Sequence, residues 1–323
     1  FMGLVGSEMC IRDRSKLMDA ITIRNLTKSY SDTVALKGVD INIREGEFFG
    51  LLGPNGAGKT TTINILTGLV RKDSGETKIF GYDTVNDFRF TRKQVGISSQ
   101  EFTQDWFFPL DKLLLFQAGY YGIKSEDAAD QVESLLERLG LKDKRNAKIR
   151  HLSGGMKRRF QIAKALVHNP KILILDEPTA GVDVELRHEL WDFFSELHDE
   201  GKTILLTTHY IEEAEMLCDK VAIIDSGKVI TEGSPKELIG KDSMSGITIL
   251  LSESFLGVEN ILNDYTFTQD DKRIHFSTKD PEGDMPKIIR ILSEAGAHIQ
   301  RIETDKSSLE DVFLNLTGKG INK

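Results

Sequence analysis

Gly53-Pro54-Asn55-Gly56-Ala57-Gly58-Lys59-Thr60 has the spacing GxxxxGK[ST]. It follows the apolar run Phe48-Phe49-Gly50-Leu51-Leu52, which reads as a buried strand. Few folds accommodate a strand, a glycine-rich loop and a helix in that order. The glycines let backbone N–H groups turn inward as an anion nest, and a helix starting near Lys59 adds the positive end of its dipole. Gly53, Pro54, Asn55, Gly56, Ala57 and Gly58 are therefore expected to cradle nucleotide phosphates. Lys59 is expected to reach the β and γ phosphates, and the Thr60 hydroxyl, with Thr61 beside it, to face Mg²⁺.

At 323 residues the chain exceeds what one hydrophobic core usually serves, so a large domain and a smaller one are expected. No uninterrupted apolar stretch approaches the roughly 18 residues that cross a bilayer. A net charge of −8 argues against a protein built to grip nucleic acid. Cys10 and Cys218 lie far apart and no Cys/His cluster has metal-ligand spacing, so no structural metal is expected and a reducing cytoplasm is the simplest setting. Cys218, among apolar neighbours, reads as core. Residues 1–17 begin at Phe1 and mix charges with an apolar part too short for a secretory signal. They are expected to be a non-native leader, with the protein proper starting at Met18.

Ile21 to Leu52 alternates apolar and polar residues and predicts a β-rich entry to the glycine loop. Ala128, Val132, Leu135, Leu136 and Leu139 recur at helical spacing, with Ser125 as the expected cap and Gly140 as the stop. Ile172 to Leu175 predicts a buried strand, and a helix carrying Leu186, Leu190, Phe193, Phe194 and Leu197 on one face follows it. Gly201 stops that helix, a second buried strand runs from Ile204 to Thr208, and Ser226-Gly227 turns a hairpin. Strands alternating with helices imply an α/β core with a mostly parallel sheet. Gly240 to Gly246 is expected to be a linker. Beyond it the order strand, helix (Phe255 to Leu262), strand, strand, helix (Pro286 to Ala295), strand and final helix (Leu309 to Leu316) suggests a small α+β ferredoxin-like domain.

The strand Ile172-Leu173-Ile174-Leu175 ends in Asp176-Glu177-Pro178 and so lifts two carboxylates to its C-terminal end. Asp176 is expected to hold Mg²⁺ through its water shell and Glu177 to polarise an attacking water. In Leu152-Ser153-Gly154-Gly155-Met156, Ser153 and the two glycines at a helix start form a second anion site, because unpaired N–H groups and a short hydroxyl point outward together.

With these strings together the chain resembles the ATP-binding cassette (ABC) superfamily over Ile21 to about Ile239. The resemblance implies an ABC-type P-loop ATPase domain over 18–240, with an antiparallel β subdomain and a helical subdomain at about 101–166, followed by an accessory domain over 246–323. It implies a homodimer in which Ser153, Gly154 and Gly155 of one subunit close over the ATP in the phosphate loop of the other. Met156 departs from the family's usual glutamine, at a position where backbone groups and Ser153 do the phosphate work. Gln100 matches the family's glutamine that touches Mg²⁺ and senses a membrane partner. His209 matches the switch histidine at the γ-phosphate, and Asp183 matches a loop crossing the dimer interface, with helix N-capping a compatible role. Tyr30 matches the aromatic that stacks on adenine, with core packing as its alternative.

The tail Ser307-Ser308-Leu309-Glu310-Asp311-Val312-Phe313-Leu314 looks like the C-terminal extension of ATP-binding subunits of ABC-2 type exporters, the group that includes daunorubicin-resistance pumps. That likeness implies ATP and Mg²⁺ as cofactors, a separate ABC-2 permease as partner, no nucleic acid, and a place at the cytoplasmic face of the membrane. Trp106, Phe107, Phe108, Tyr120 and Tyr121 are candidates for the permease dock, ordinary packing being the alternative. The rival classes are a soluble ABC ATPase acting on ribosomes or DNA, and an importer ATPase. The single motif set, the lack of a heptad run and the lack of a Cys cluster speak against the soluble class.

Overall fold

The computed structural model describes residues 18–99, 107–242, 245–255, 262, 265–278, 280–305 and 308–317. Gln100, Trp106, residues 1–17, expected to be a leader, and most of the helix expected at Phe255 to Leu262 lie outside the described residues. The chain divides into two compact units, one of Phe1–Phe49 with Thr60–Leu206 and one of Gly50–Lys59 with Thr207–Lys323.

In the first unit, β1 (Asp19–Tyr30) pairs antiparallel with β2 (Thr33–Arg44). Along β2, Leu36, Val39, Ile41 and Ile43 are buried, and exposed Lys37, Asp40, Asn42 and Arg44 fall between them, the pattern of a sheet with one wet face. Buried throughout, β3 (Phe48–Leu52) leads to the glycine loop and α1 (Lys59–Leu66). Next come β4 (Ser74–Ile79) and β5 (Tyr82–Asp83), which complete a sheet of order β2-β1-β4-β5, and then α2 (Phe88–Gln94) and β6 (Val95–Ser98). The sequence reading carries no expectation for Ser74 to Gln94. The turn that pairs β4 with β5 sits at Phe80 and Gly81, both at positive φ.

α3 (Leu110–Tyr120), α4 (Ser125–Arg138) and α5 (Gly154–Leu166) pack on one another, which is the helical subdomain expected. Ser125 is the first residue of α4 and makes no cap bond. Glu126 and Asp127 in the first turn offset the helix dipole in its place, and Gly140 at φ +64 follows the helix end as expected. The strand β7 (Ile172–Asp176) runs parallel to β6, then come α6 (Val184–Asp199) and β8 (Thr203–Thr208); β7 and β8 are buried residue by residue, as strands covered on both faces are.

In the second unit, α7 (Ile211–Leu217) is followed by the hairpin β9 (Lys220–Asp225) and β10 (Lys228–Gly233) and by α8 (Pro235–Asp242). The stretch expected as a linker is structured at both ends, because α8 reaches Asp242 and β11 (Ser245–Leu251) starts three residues later. A capping box drives that helix: Ser234 Oγ accepts from Glu237 N–H, and the Glu237 carboxylate accepts from Ser234 N–H. With β12 (Thr266–Asp270), β13 (Arg273–Thr278) and β14 (Ile299–Asp305), β11 forms an antiparallel sheet of order β14-β11-β13-β12. Ile247, Ile249, Phe276, Ile288 and Leu292 are its core.

Between β13 and β14 lies α9 (Pro281–Glu294). It begins at Pro281 rather than at the expected Pro286, because Asp280 caps it by accepting from Gly283 N–H. The final helix is α10 (Leu309–Thr317). Strand order and pairing, with α9 between β13 and β14, match a ferredoxin-like fold, and no helix among the described residues is long and apolar enough to cross a membrane.

Candidate functional site

The glycine loop is shaped by one close backbone approach and by two residues at positive φ. A Cβ on Gly53 would lie 2.3 Å from the Ile224 carbonyl oxygen, and Gly56 and Gly58 have φ of +80° and +112°. Within the loop Ala57 N–H donates to the Pro54 carbonyl, and Gly227 N–H, from the β9–β10 turn, donates to the Ala57 carbonyl at 3.0 Å. Ser226-Gly227, expected only as a hairpin turn, thus also supports the glycine loop. The Lys59 side chain, 6% exposed, folds back over the loop, donating to the Gly53 carbonyl at 2.6 Å and the Pro54 carbonyl at 3.2 Å. The ammonium is thus held against the loop backbone by two carbonyls. His209 also belongs to this unit. It follows β8, is half-buried, and its ring packs on Tyr210 with centroids 4.2 Å apart, while Tyr210 N–H donates to Thr208 Oγ1 at 2.9 Å.

The other expected site residues lie in the first unit or begin it. Thr60, an exposed residue in the first turn of α1, starts the second segment of that unit, next to half-buried Thr61. Asp176 ends β7 at 5% exposure, and Glu177 after it is half-buried with φ +49°, a left-handed conformation costly for any residue with a Cβ. Ser153 caps α5, its Oγ accepting from Met156 N–H at 3.2 Å. Asp183 caps α6, Oδ1 accepting from Leu186 N–H at 2.8 Å. The structure brings these two helix starts together: a Cβ on Gly155 would lie 2.4 Å from Leu186 Cδ2, and Arg159 of α5 pairs with Glu189 of α6. Ser153, Gly154 and Asp183 are exposed on that surface, and Leu186, read from the sequence only as core, rests its side-chain tip against the second glycine of the pair.

Arg158, buried in α5, donates to the Ser99 carbonyl at 3.2 Å and so fixes the chain just before Gln100. Tyr30 is 44% exposed, with the Lys28 ammonium 5.3 Å from its ring centroid, which rules out the core-packing alternative. Cys218 is buried against Gly50, and burial pushes its thiol pKa up, so it is core as expected. Tyr121 stacks on His168 at 3.5 Å, whereas Phe107, Phe108 and Tyr120 are exposed.

Among the described residues no three His, Cys, Asp or Glu side chains gather as a metal cluster. Mg²⁺ does not require one, because it binds through one or two protein oxygens with substrate phosphates and water supplying the rest. The hydroxyl of Thr60 and the carboxylate of Asp176 are oxygen donors of the kind that set needs.

The family model described as "ABC transporter" matches residues 36–180. Nod factor export ATP-binding protein I of Burkholderia orbicola is 38% identical over 301 residues, covering 93% of this chain and 97% of that protein. Linearmycin resistance ATP-binding protein LnrL of Bacillus subtilis is 36% identical over 305 residues, covering 91% and 97%. Among solved structures, CbiO1 from Clostridium perfringens, part of the transporter complex CbiONQ, matches with a TM-score of 0.63 and 32% identity over 69% of this chain and 92% of that one. The ATP-binding cassette MJ0796, a dimer in a post-hydrolysis state bound to ADP and Pi, matches with a TM-score of 0.62 and 28% identity over 66% and 98%.

Proposed function

The chain belongs to the ABC transporter family, as an ATP-binding, ATP-hydrolysing subunit, and from that premise we propose that it drives export through a separate ABC-2 type membrane permease. The observation that carries this reading is the length of the likeness. Relatives named for Nod factor export and linearmycin resistance align over more than nine-tenths of this chain, so the C-terminal region is included as well as the ATPase. Export is favoured over import or a role on ribosomes or DNA on the same ground.

Two copies clasp two ATP molecules between them at the cytoplasmic face of the membrane. Backbone N–H groups of Gly53 to Thr60 and the Lys59 ammonium bind the phosphates, and Tyr30 stacks on the adenine. Thr60 and Asp176, with Gln100, would hold Mg²⁺, which when bound neutralises charge on the β and γ phosphates. The paired starts of α5 and α6 support a second half-site: Ser153, Gly154 and Gly155 present outward N–H groups to the γ-phosphate held by the other copy, next to Asp183. Glu177 orients and deprotonates the attacking water, and His209 holds the γ-phosphate in line. Closure draws its free energy from contacts present only in the clasped state, and release of phosphate reopens it.

The test is to isolate the chain with the membrane protein encoded beside it and to measure ATP turnover across a panel of amphiphilic compounds. Compound-stimulated turnover in the complex and a flat response from the chain alone are expected. Co-purification with ribosomes, and no association with a membrane protein, would contradict the reading.

A further inference from the structure

The last helix does not end free. The Leu309 N–H, the first of α10, donates to the Glu215 carboxylate of α7 at 2.5 Å. The remaining capping is local: Ser308 N–H and Oγ–H donate to Asp311 Oδ2, and Asp311 N–H donates back to Ser308 Oγ. That capping box leaves the Leu309 amide over, and a carboxylate from another helix takes it, where the helix dipole favours negative charge. Behind the bond Leu309, Val312 and Phe313 are buried, and α10 packs on both α7 and α8.

α7 is the helix that begins two residues after His209, and the intervening Tyr210 is held by its own ring contact with His209 and by Thr208 Oγ1. A helix of seven residues transmits a displacement as a rigid rod, so what pins Glu215 also sets where the chain leaves His209.

We propose that Glu215 is a positioning residue for ATP turnover. By tying α10 to α7 it lets the C-terminal domain set the placement of His209, and a partner or ligand that pulls on that domain alters turnover through this bond. The proposal rests on the assignment of His209 to the γ-phosphate, and its test separates the two.

Steady-state ATP turnover and nucleotide affinity are measured for Glu215→Ala, Glu215→Gln, His209→Ala and the Glu215→Ala/His209→Ala pair. Glu215→Ala is expected to lower kcat at least about five-fold, the low end of coupling between sites, with ATP affinity unchanged. Glu215→Gln, which keeps an acceptor oxygen, restores most of it, and in the His209→Ala background the Glu215 substitution adds nothing further. In the unmutated chain, hydrogen exchange at the Leu309 amide is expected to change when Mg-ATP is added. Full additivity of the two substitutions, or unaltered kcat in Glu215→Ala with faster exchange at Leu309, would make the bond merely structural and overturn the proposal. So would Leu309 exchange indifferent to Mg-ATP. Unimpaired turnover in His209→Ala would instead remove the assignment beneath it, and the proposal with it.

Discussion

Glu177 sits on a backbone that its own side chain disfavours: φ is +49°, immediately after a strand of five buried residues. Strain of this kind is about 1 kcal/mol or more, and it persists where position matters more than stability. Glu177→Gly should therefore leave the unfolding free energy unchanged or raised, where a glycine at ordinary φ costs about 1 kcal/mol, and should abolish turnover. Thermal denaturation beside an ATPase assay checks both halves, and a drop of about 1 kcal/mol would show that the left-handed conformation carries no strain. His168 makes a second prediction. Its Nε2 lies 3.1 Å from the Val95 carbonyl, its buried Nδ1 has no hydrogen-bond partner, and burial lowers its pKa to about 4. A histidine neutral in the fold and titrating near 6.5 when unfolded stabilises fully above pH 6.5, and that stability is lost as pH falls toward 4. His168→Phe, which keeps the stack on Tyr121, should gain about 2 kcal/mol on wild type between pH 7.5 and pH 4, allowing for the ring's partial exposure. Urea unfolding at the two pH values measures the difference, and an equal gap at both would contradict the assignment.

At the scale of the element, α5 connects stability to chemistry. Its packing on β6 depends on Gly96, where a Cβ would lie 2.1 Å from the Ala165 carbonyl oxygen, and backbone cannot step aside as a side-chain tip can. Gly96→Ala should cost about 2–3 kcal/mol in denaturant unfolding, and a loss below about 0.5 kcal/mol would mean the helix is free to shift. At the other end of α5, Ser153→Ala removes a cap worth about 1 kcal/mol. It should leave ATP binding to the isolated chain intact and lower hydrolysis about 100-fold, the scale of losing one charge-stabilising donor. If binding fails instead, Ser153 serves the nucleotide of its own copy. The glycine loop, the carboxylate strand and both helix caps were legible in the sequence because each is a local device with fixed spacing. The Gly227 support under the loop, the Leu186 contact on Gly155 and the Glu215 bond to α10 were not, because each joins residues far apart in the chain. The start of α9 was misplaced for a different reason: two prolines competed for the first turn, and Asp280 decided between them. The capping box of α8 was present in Ser234 to Glu237 and was masked by the polar, glycine-bearing stretch that follows.

For the whole molecule, the account asks one chain to carry two incomplete nucleotide sites, a phosphate cradle around Lys59 and an outward-facing pair of helix starts at Ser153 and Asp183. The most direct measurement is the mass of Glu177→Gln in solution with and without Mg-ATP. Without nucleotide the 36.2 kDa chain should run as a single copy. With saturating Mg-ATP, which this variant is expected to bind and barely hydrolyse, it should run at twice that mass and hold one ATP per chain, and Ser153→Ala in the same background should weaken the pairing. A Glu177→Gln chain that binds ATP fully and still remains single, with the membrane partner present, would contradict the clasp on which the proposed export cycle depends.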